Sequence, residues 1–299
     1  MKRVLVTGAN GFIGRCALPF LQAAGYEVHA VSSQPRPAQL PVVWHQVDLL
    51  ATEGASALVA AVKPSHLLHL AWYSKPGTFW TAPDNLRWVL ASLSLLDAFA
   101  THGGVRAVMA GSCAEYDWRY GWCSEQVTPL GPSSPYGKCK QALQSLLAAH
   151  SQMSGLSWAW GRIFFLYGPH EHPARLVASV IKSLLQGQPA FCSTGEQLRD
   201  FLHVADVASA FVSLLDSDVR DAVNIASGIP VSVGEIVRRI ATALGREDLL
   251  RMGARPVAAG DPPLLVADVR RLTEEVHWRP RFDLDTGLGA TIDWWRDHL

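Results

Sequence analysis

Apolar residues in the first two-thirds of the chain come in short unbroken runs separated by longer amphipathic stretches. The runs Arg3–Thr7, Glu27–Val31, Val42–Val47, His66–Leu70, Ala107–Ala110 and Ser157–Ile163 read as β-strands. Hydrophobicity that is continuous rather than alternating marks strands covered on both faces. Helical periodicity falls between them, over Ile13–Ala24, Pro83–Ala100 and Ser134–Gln152. Strands interleaved with helices predict an α/β fold built on a doubly wound parallel sheet. After Gly168-Pro169 the alternation loosens, and prolines at 169, 173, 189, 230, 256, 262, 263 and 280 cut the remainder into short pieces. That change predicts a smaller C-terminal lobe, joined to the sheet domain without a flexible linker. The expected division gives residues 1–168, with about 203–228, to the sheet domain. Residues 169–202 and 229–299 then form the lobe.

Of 299 residues 49% are hydrophobic and 17% charged, which supplies a large core and too little charge for disorder. The 26 basic residues balance the 26 acidic ones. No Lys/Arg run exceeds two residues, so nothing electrostatic supports a nucleic-acid or membrane-surface role. No stretch approaches the roughly 18 apolar residues of a membrane span. Met1-Lys2-Arg3 leads straight into Val4-Leu5-Val6, which reads as a first strand and not as a signal peptide. Cys16, Cys113, Cys123, Cys139 and Cys192 are scattered without C-x-x-C spacing, as thiols of a reducing compartment are. A cytoplasmic protein is expected. His170-Glu171-His172 is an incomplete metal set and reads as a polar loop, so no metal site is expected.

Gly8-Ala9-Asn10-Gly11-Phe12-Ile13-Gly14 follows the first strand and opens the first helix. Glycines there let the backbone turn sharply and approach a pyrophosphate at the helix N-terminus. The spacing G-x-x-G-x-x-G, placed directly after a strand, predicts a dinucleotide site over Gly8, Asn10, Gly11, Phe12, Ile13 and Gly14. The end of the second strand sets the cofactor's flavour. An acid there would bind the ribose diol and repel a 2′-phosphate. The sequence instead reads Val31-Ser32-Ser33-Gln34-Pro35-Arg36. Ser32, Ser33 and Arg36 suit a phosphate better than a diol, so NADP(H) is favoured and NAD(H) remains possible. Asp48-Leu49, after the third strand, stands where a carboxylate would read the adenine amino group.

Tyr136 and Lys140 lie four apart on one face of a predicted helix. An adjacent ammonium lowers a tyrosine pKa toward neutrality and prepares it as an acid/base. Ser112 ends the fifth strand at the carboxyl edge of the sheet, where ligands sit in such folds. Its hydroxyl would bind the substrate oxygen that Tyr136 protonates. Lys138 faces elsewhere. Trp72, Trp80, Trp88, Trp118 and Trp122 lie between the fourth strand and the tyrosine helix, either as pocket walls or as loop packing.

Four further segments complete a pattern: His69-Leu70-Ala71, Arg162-Ile163-Phe164-Phe165-Leu166-Tyr167-Gly168-Pro169, Arg199-Asp200-Phe201-Leu202-His203-Val204-Ala205-Asp206-Val207-Ala208, and Trp278-Arg279-Pro280. With them, the chain resembles the extended short-chain dehydrogenase/reductase family in its sugar-nucleotide branch, from residue 4 to about 295. The resemblance implies a Rossmann domain, a substrate-binding lobe, and a nucleotide sugar in the cleft between them. It implies Ser112, Tyr136 and Lys140 as the catalytic set and places Leu70 and Ala71 beside the cofactor. It gives Arg199 to the substrate diphosphate, against an ion pair with Asp200 or Asp206. It also implies a homodimer through the helices near 83–100 and 134–152. Two positions depart from the family: Phe165 stands where asparagine is usual, and Ala258 where arginine is usual. Arg255 is the candidate substitute for the latter.

The resemblance also narrows the reaction. The 4,6-dehydratases carry acids immediately after the catalytic hydroxyl residue, where this chain has Cys113 and Ala114. Glu115, one place further, is expected to point away. What remains is an NADPH-dependent reductase of a 4-keto-6-deoxy nucleotide sugar, favoured, or an NAD-dependent 4-epimerase. Outside enzymology, a non-catalytic sensor of NADP redox state remains.

Overall fold

The computed structural model describes residues 2–35, 42–51 and 54–299. In chain order the strands are β1 (Arg3–Thr7), β2 (Glu27–Ser32), β3 (Val43–Gln46), β4 (His66–His69), β5 (Arg106–Ser112), β6 (Trp122–Cys123), β7 (Ser157–Ile163), β8 (Phe165–Tyr167), β9 (Ala190–Phe191), β10 (Leu198–His203), β11 (Asp221–Ile225), β12 (Pro230–Ser232), β13 (Leu250–Arg251) and β14 (Leu264–Ala267). The helices are α1 (Gly14–Ala23), α2 (Gly54–Val62), α3 (Asp84–Thr101), α4 (Pro135–Ser154), α5 (Leu176–Leu185), α6 (Val204–Asp216), α7 (Val233–Leu244) and α8 (Leu284–Asp297).

Seven strands form one parallel sheet in the order β11-β7-β5-β4-β1-β2-β3. Successive residues of a strand face opposite ways, and β1 shows how this sheet uses that. Val4 and Val6 join the core cluster beneath α1 and α6, while Leu5 joins the one beneath α2, α3 and α4. Each fully buried aliphatic side chain stabilises such a layer by about 1.5–3 kcal/mol. The strand order reverses between β1 and β4, a switch point at which the two following loops diverge and leave a crevice. Arg106 fixes α6 to this sheet, donating to the carbonyls of Leu214, Leu215 and Val219 at the helix end.

A second sheet runs β12-β10-β14-β6, with β8 also paired to β10. The helices α5, α7 and α8 pack around a third core that includes Ile181, Ile236, Ile240, Ile292 and Trp295. The helix α2 has no counterpart in the periodicity, because Gly54-Ala55-Ser56-Ala57-Leu58-Val59-Ala60-Ala61-Val62 offers almost no polar face to mark one. Among the described residues no helix is long and apolar enough to cross a membrane.

Candidate active site

The loop after β1 is shaped by contacts a side chain would block. Gly8 has φ +67°, and a Cβ on it would lie 2.8 Å from the Ala71 backbone nitrogen. A Cβ on Gly14 would lie 2.2 Å from the Gly8 carbonyl oxygen, so α1 docks tightly on its own loop. No side chain caps the first turn of α1, which leaves that helix end open to an anion. Arg15 clasps the loop from outside, donating to the Asn10 carbonyl at 2.8 Å.

Beside this loop lies a cavity of about 440 Å³, bordered by Gly8, Asn10, Gly11, Ser32, Ser33, Asp48, Leu49, Ala71 and Trp72, among others. Phe12, Ile13, Gly14 and Leu70 do not border it; Ile13 and Leu70 pack against the core. The glycine cradle, the uncapped helix end and the cavity together fit a dinucleotide. Ser32 accepts a hydrogen bond from the Gln34 N–H, and Asp48 Oδ1 accepts one from Leu50 N–H at 2.9 Å. Arg36 lies outside the described residues. A larger cavity of about 660 Å³, bordered by Gln144, Arg162 and Arg271, touches none of Ser112, Tyr136 and Lys140.

The helix α4 starts at a Ser134 cap, whose hydroxyl accepts from Gly137 N–H at 3.1 Å. Gly137 then packs against the turn that follows β5: a Cβ there would sit 2.3 Å from the Ala114 carbonyl oxygen. That close approach brings Tyr136 near Ser112, whose hydroxyl favours the phenolate. Burial raises the Tyr136 pKa well above its ordinary value, Glu115 and Cys113 add to the rise, and Ser112 and Arg175 oppose it. The expected effect of Lys140 on the phenol is not what the structure places there. The Lys140 ammonium instead donates to the Ala110 carbonyl at 2.8 Å and sits 3.6 Å from the centre of the Trp72 ring. Burial draws its pKa down to about 7, with Glu115 opposing.

Behind Ser112 is a polar network with no counterpart in the sequence reading. Glu115 is fully buried and accepts from Ser112 N–H at 2.7 Å, from the Trp160 indole and from Arg162 Nε at 2.8 Å. It therefore points into the sheet, as the dehydratase argument required. Arg162 also donates to Tyr116 and Gln144, and Tyr116 donates to Asn224. Ser112 and Glu115 form a local capping box, but Trp160 and Arg162 of β7, Gln144 of α4 and Asn224 of β11 come from elements distant in the chain.

An aromatic wall encloses Tyr136, with the Phe79 ring 4.9 Å and the Trp80 ring 5.7 Å from it. Trp118 stands behind Trp80 at 6.1 Å. Trp72 and Trp88 border the cavity beside the glycine loop, Trp80 and Trp118 pack in the loops around Tyr136, and Trp122 lies exposed on β6. Arg175 was not singled out by the sequence, yet its guanidinium lies 5.3 Å over the Phe79 ring. His69 was read only as part of a motif. It bridges Thr7 at 2.7 Å and Ser92 at 2.9 Å, and burial holds its pKa near 3, so it is neutral scaffolding.

In the lobe, Arg199 is buried on β10 and its fork pairs with Asp261 Oδ1 at 2.5 Å. The expected rivals for it were Asp200 and Asp206, and both are occupied elsewhere. Asp200 accepts from Ser227, Gly228 and Ala267, and Asp206 from the Arg281 and Phe282 N–H groups. Phe165 faces Arg199 at 5.4 Å, putting a π face where the family's asparagine would be. Arg255 is exposed, with its N–H donating to the Cys192 carbonyl; the residue that reaches Arg199 is Asp261. The loop after Gly168 is less polar than expected. Glu171 is buried and accepts from Ala178 N–H, and burial pushes its pKa up to about 8.

The family model for the NAD dependent epimerase/dehydratase family matches residues 4–226. The chain belongs to this family. Its sheet order and helix layers agree, across 99% of the chain, with a Thermus thermophilus UDP-glucose 4-epimerase solved with NAD, at 28% identity and TM-score 0.89. All of that second chain is covered. MoeE5, solved with UDP-glucuronic acid and NAD, is 32% identical with TM-score 0.86, covering 99% of this chain and all of that one. A curated family relative, UDP-glucuronic acid decarboxylase 1 of Xenopus tropicalis, is 27% identical across all of this chain and 73% of its own length.

Proposed function

We propose that this protein is an NADPH-dependent reductase of a nucleotide-linked 4-keto-6-deoxy sugar. The observation that carries the reading is the end of β2, where Ser32 and Ser33 border the cavity and no carboxylate follows through Pro35. Two hydroxyls can donate to a 2′-phosphate where an acid would repel it. The dinucleotide, when bound, supplies the hydride. Ser112 hydrogen-bonds the C4 oxygen, Tyr136 gives it a proton, and Lys140 orients the nicotinamide ribose. General acid assistance of this kind contributes roughly 10²–10⁴-fold to rate. Arg199 binds the diphosphate bidentately once Asp261 releases it, since a guanidinium fork matches phosphate oxygens. The aromatic wall of Phe79 and Trp80 suits an apolar C6 methyl. Exposed Leu86 and Leu90 on α3, with Leu146 and Met153 on α4, support a homodimer through these two helices. Light scattering at micromolar concentration tests this, and a monomer refutes it.

A second reading, NAD-dependent 4-epimerase, draws on the NAD carried by the T. thermophilus epimerase and MoeE5 structures. Stoichiometry separates the two. With a 4-keto-6-deoxy nucleotide sugar, a reductase oxidises one NADPH per product and prefers NADPH to NADH in kcat/KM. Purified protein that carries bound NAD and equilibrates two 4-epimers without added cofactor is an epimerase.

A further inference from the structure

We propose that Trp72 is a positioning residue for Lys140, its indole face holding the ammonium in place and in its charged form. The idea rests on the reading of Lys140 as part of the reacting set. Lys140 is 4% exposed, and among the described residues no carboxylate pairs with it. Among the described residues the ammonium's one hydrogen bond is to the Ala110 carbonyl, and the Trp72 ring centre lies 3.6 Å away. A buried ammonium stripped of water needs a compensating negative potential. The face of an indole supplies one within about 6 Å.

Trp72 is itself fixed. Its Nε1–H donates to Asn85 Oδ1 at 2.9 Å. Asn85 is buried and spends its amide donors on the carbonyls of Phe79 at 2.8 Å and Ala82 at 2.9 Å, which leaves its oxygen aimed at the indole. The Trp88 ring stacks behind at 6.3 Å. The loop after β4 and the start of α3 therefore hold a charge that belongs to α4. Both ends of the arrangement border the proposed reacting groups, since Trp72 also lines the cofactor cavity.

A second indole, Trp160 of β7, lies further off, its ring centre 5.9 Å from the ammonium, so Trp72 is the nearer of the two π faces. The titratable groups around Lys140 are few. Glu115, after β5 and paired with Arg162 of β7, favours the ammonium, as does Cys139 beside it on α4. His69 of β4 is neutral, and Tyr136, one turn earlier on α4, is protonated at working pH. Burial outweighs these and brings the titration of Lys140 close to neutrality. Taking away the π face must then carry it lower still.

The test is an NMR titration of protein labelled with ¹³C-lysine, the Lys140 signal being identified by its loss in Lys140→Met. In Trp72→Leu the midpoint falls by roughly one unit, and in Trp72→Phe, which keeps a π face, by less. The alkaline limb of kcat/KM follows the same order. An unmoved midpoint in folded Trp72→Leu overturns the proposal. If that variant does not fold, ring-fluorinated tryptophans at position 72 replace it. The midpoint must then fall stepwise with each fluorine, and a constant midpoint overturns the proposal equally. Lys140→Met with wild-type turnover would instead remove Lys140 from the mechanism and leave the ionisation result standing.

Discussion

Two arginine–carboxylate pairs in this molecule have the same chemistry and opposite surroundings. Arg162–Glu115, at 2.8 Å, has side chains 2% and 0% exposed. Arg199–Asp261, at 2.5 Å, has side chains 3% and 33% exposed. Glu115 is held by the Ser112 N–H, the Trp160 indole and Arg162 together, while among the described residues the Asp261 side chain meets only the arginine. A buried pair tied in by several further hydrogen bonds is part of the scaffold, because losing either member strands a charge in the interior. A pair with one half in water is exchangeable, since solvent replaces the carboxylate at small cost. The first pair backs the Ser112 strand end and the second guards the proposed diphosphate position. Surroundings, not residue type, separate scaffold from ligand site.

The largest effect should come from breaking the scaffold pair. Glu115→Leu leaves Arg162 unpaired in the core and is expected to cost about 3–5 kcal/mol of stability. Urea denaturation measures it, and a loss below 1 kcal/mol would put the two pairs in one class. At the other pair, Arg199→Ala should raise KM for the nucleotide sugar, on the order of 10–100-fold, as loss of a charged hydrogen bond does. Its kcat should change less. A variant that melts early with an unchanged KM makes Arg199 a scaffold residue after all. Smaller still is Asp261→Asn, which removes the arginine's resident anion. KM should then fall, by up to about fivefold, the worth of a half-exposed ion pair. A rise in KM would mean that Asp261 contacts the substrate.

A separate effect, on pH dependence and not on either pair, concerns a buried carboxylate that has no ion-pair partner among the described residues. Glu171 is raised to about 8 by burial. The folded state keeps its proton while the unfolded chain releases it near the ordinary glutamate value. The native state therefore binds more protons through this window, and stability declines as pH rises from about 5 to 8. Glu171→Gln, which preserves the acceptor for Ala178, should flatten that decline. Thermal melts across the window check it, and an unchanged slope assigns the pH dependence elsewhere.

Much of this was legible in the chain itself, wherever the physics is local. The runs at β1, β2, β5 and β7 are apolar without break because both faces are covered, and that alone gave the parallel sheet. Gly8 is required by its left-handed backbone and Gly14 by a contact with the Gly8 carbonyl within the same loop, and Tyr136 and Lys140 by helix spacing, so their placement could be read from offsets. The pocket residues after β2 and β3 followed from the same strand–loop logic. The tertiary structure alone decided what those groups face. Lys140 meets Trp72 rather than Tyr136, Arg199 meets Asp261 rather than Asp200, and Glu115 meets Arg162. Each pairing joins elements that only the folded sheet and lobe bring together. A carboxylate's partner in a nonpolar interior is set by which donors reach it in three dimensions, and no spacing along the chain carries that information.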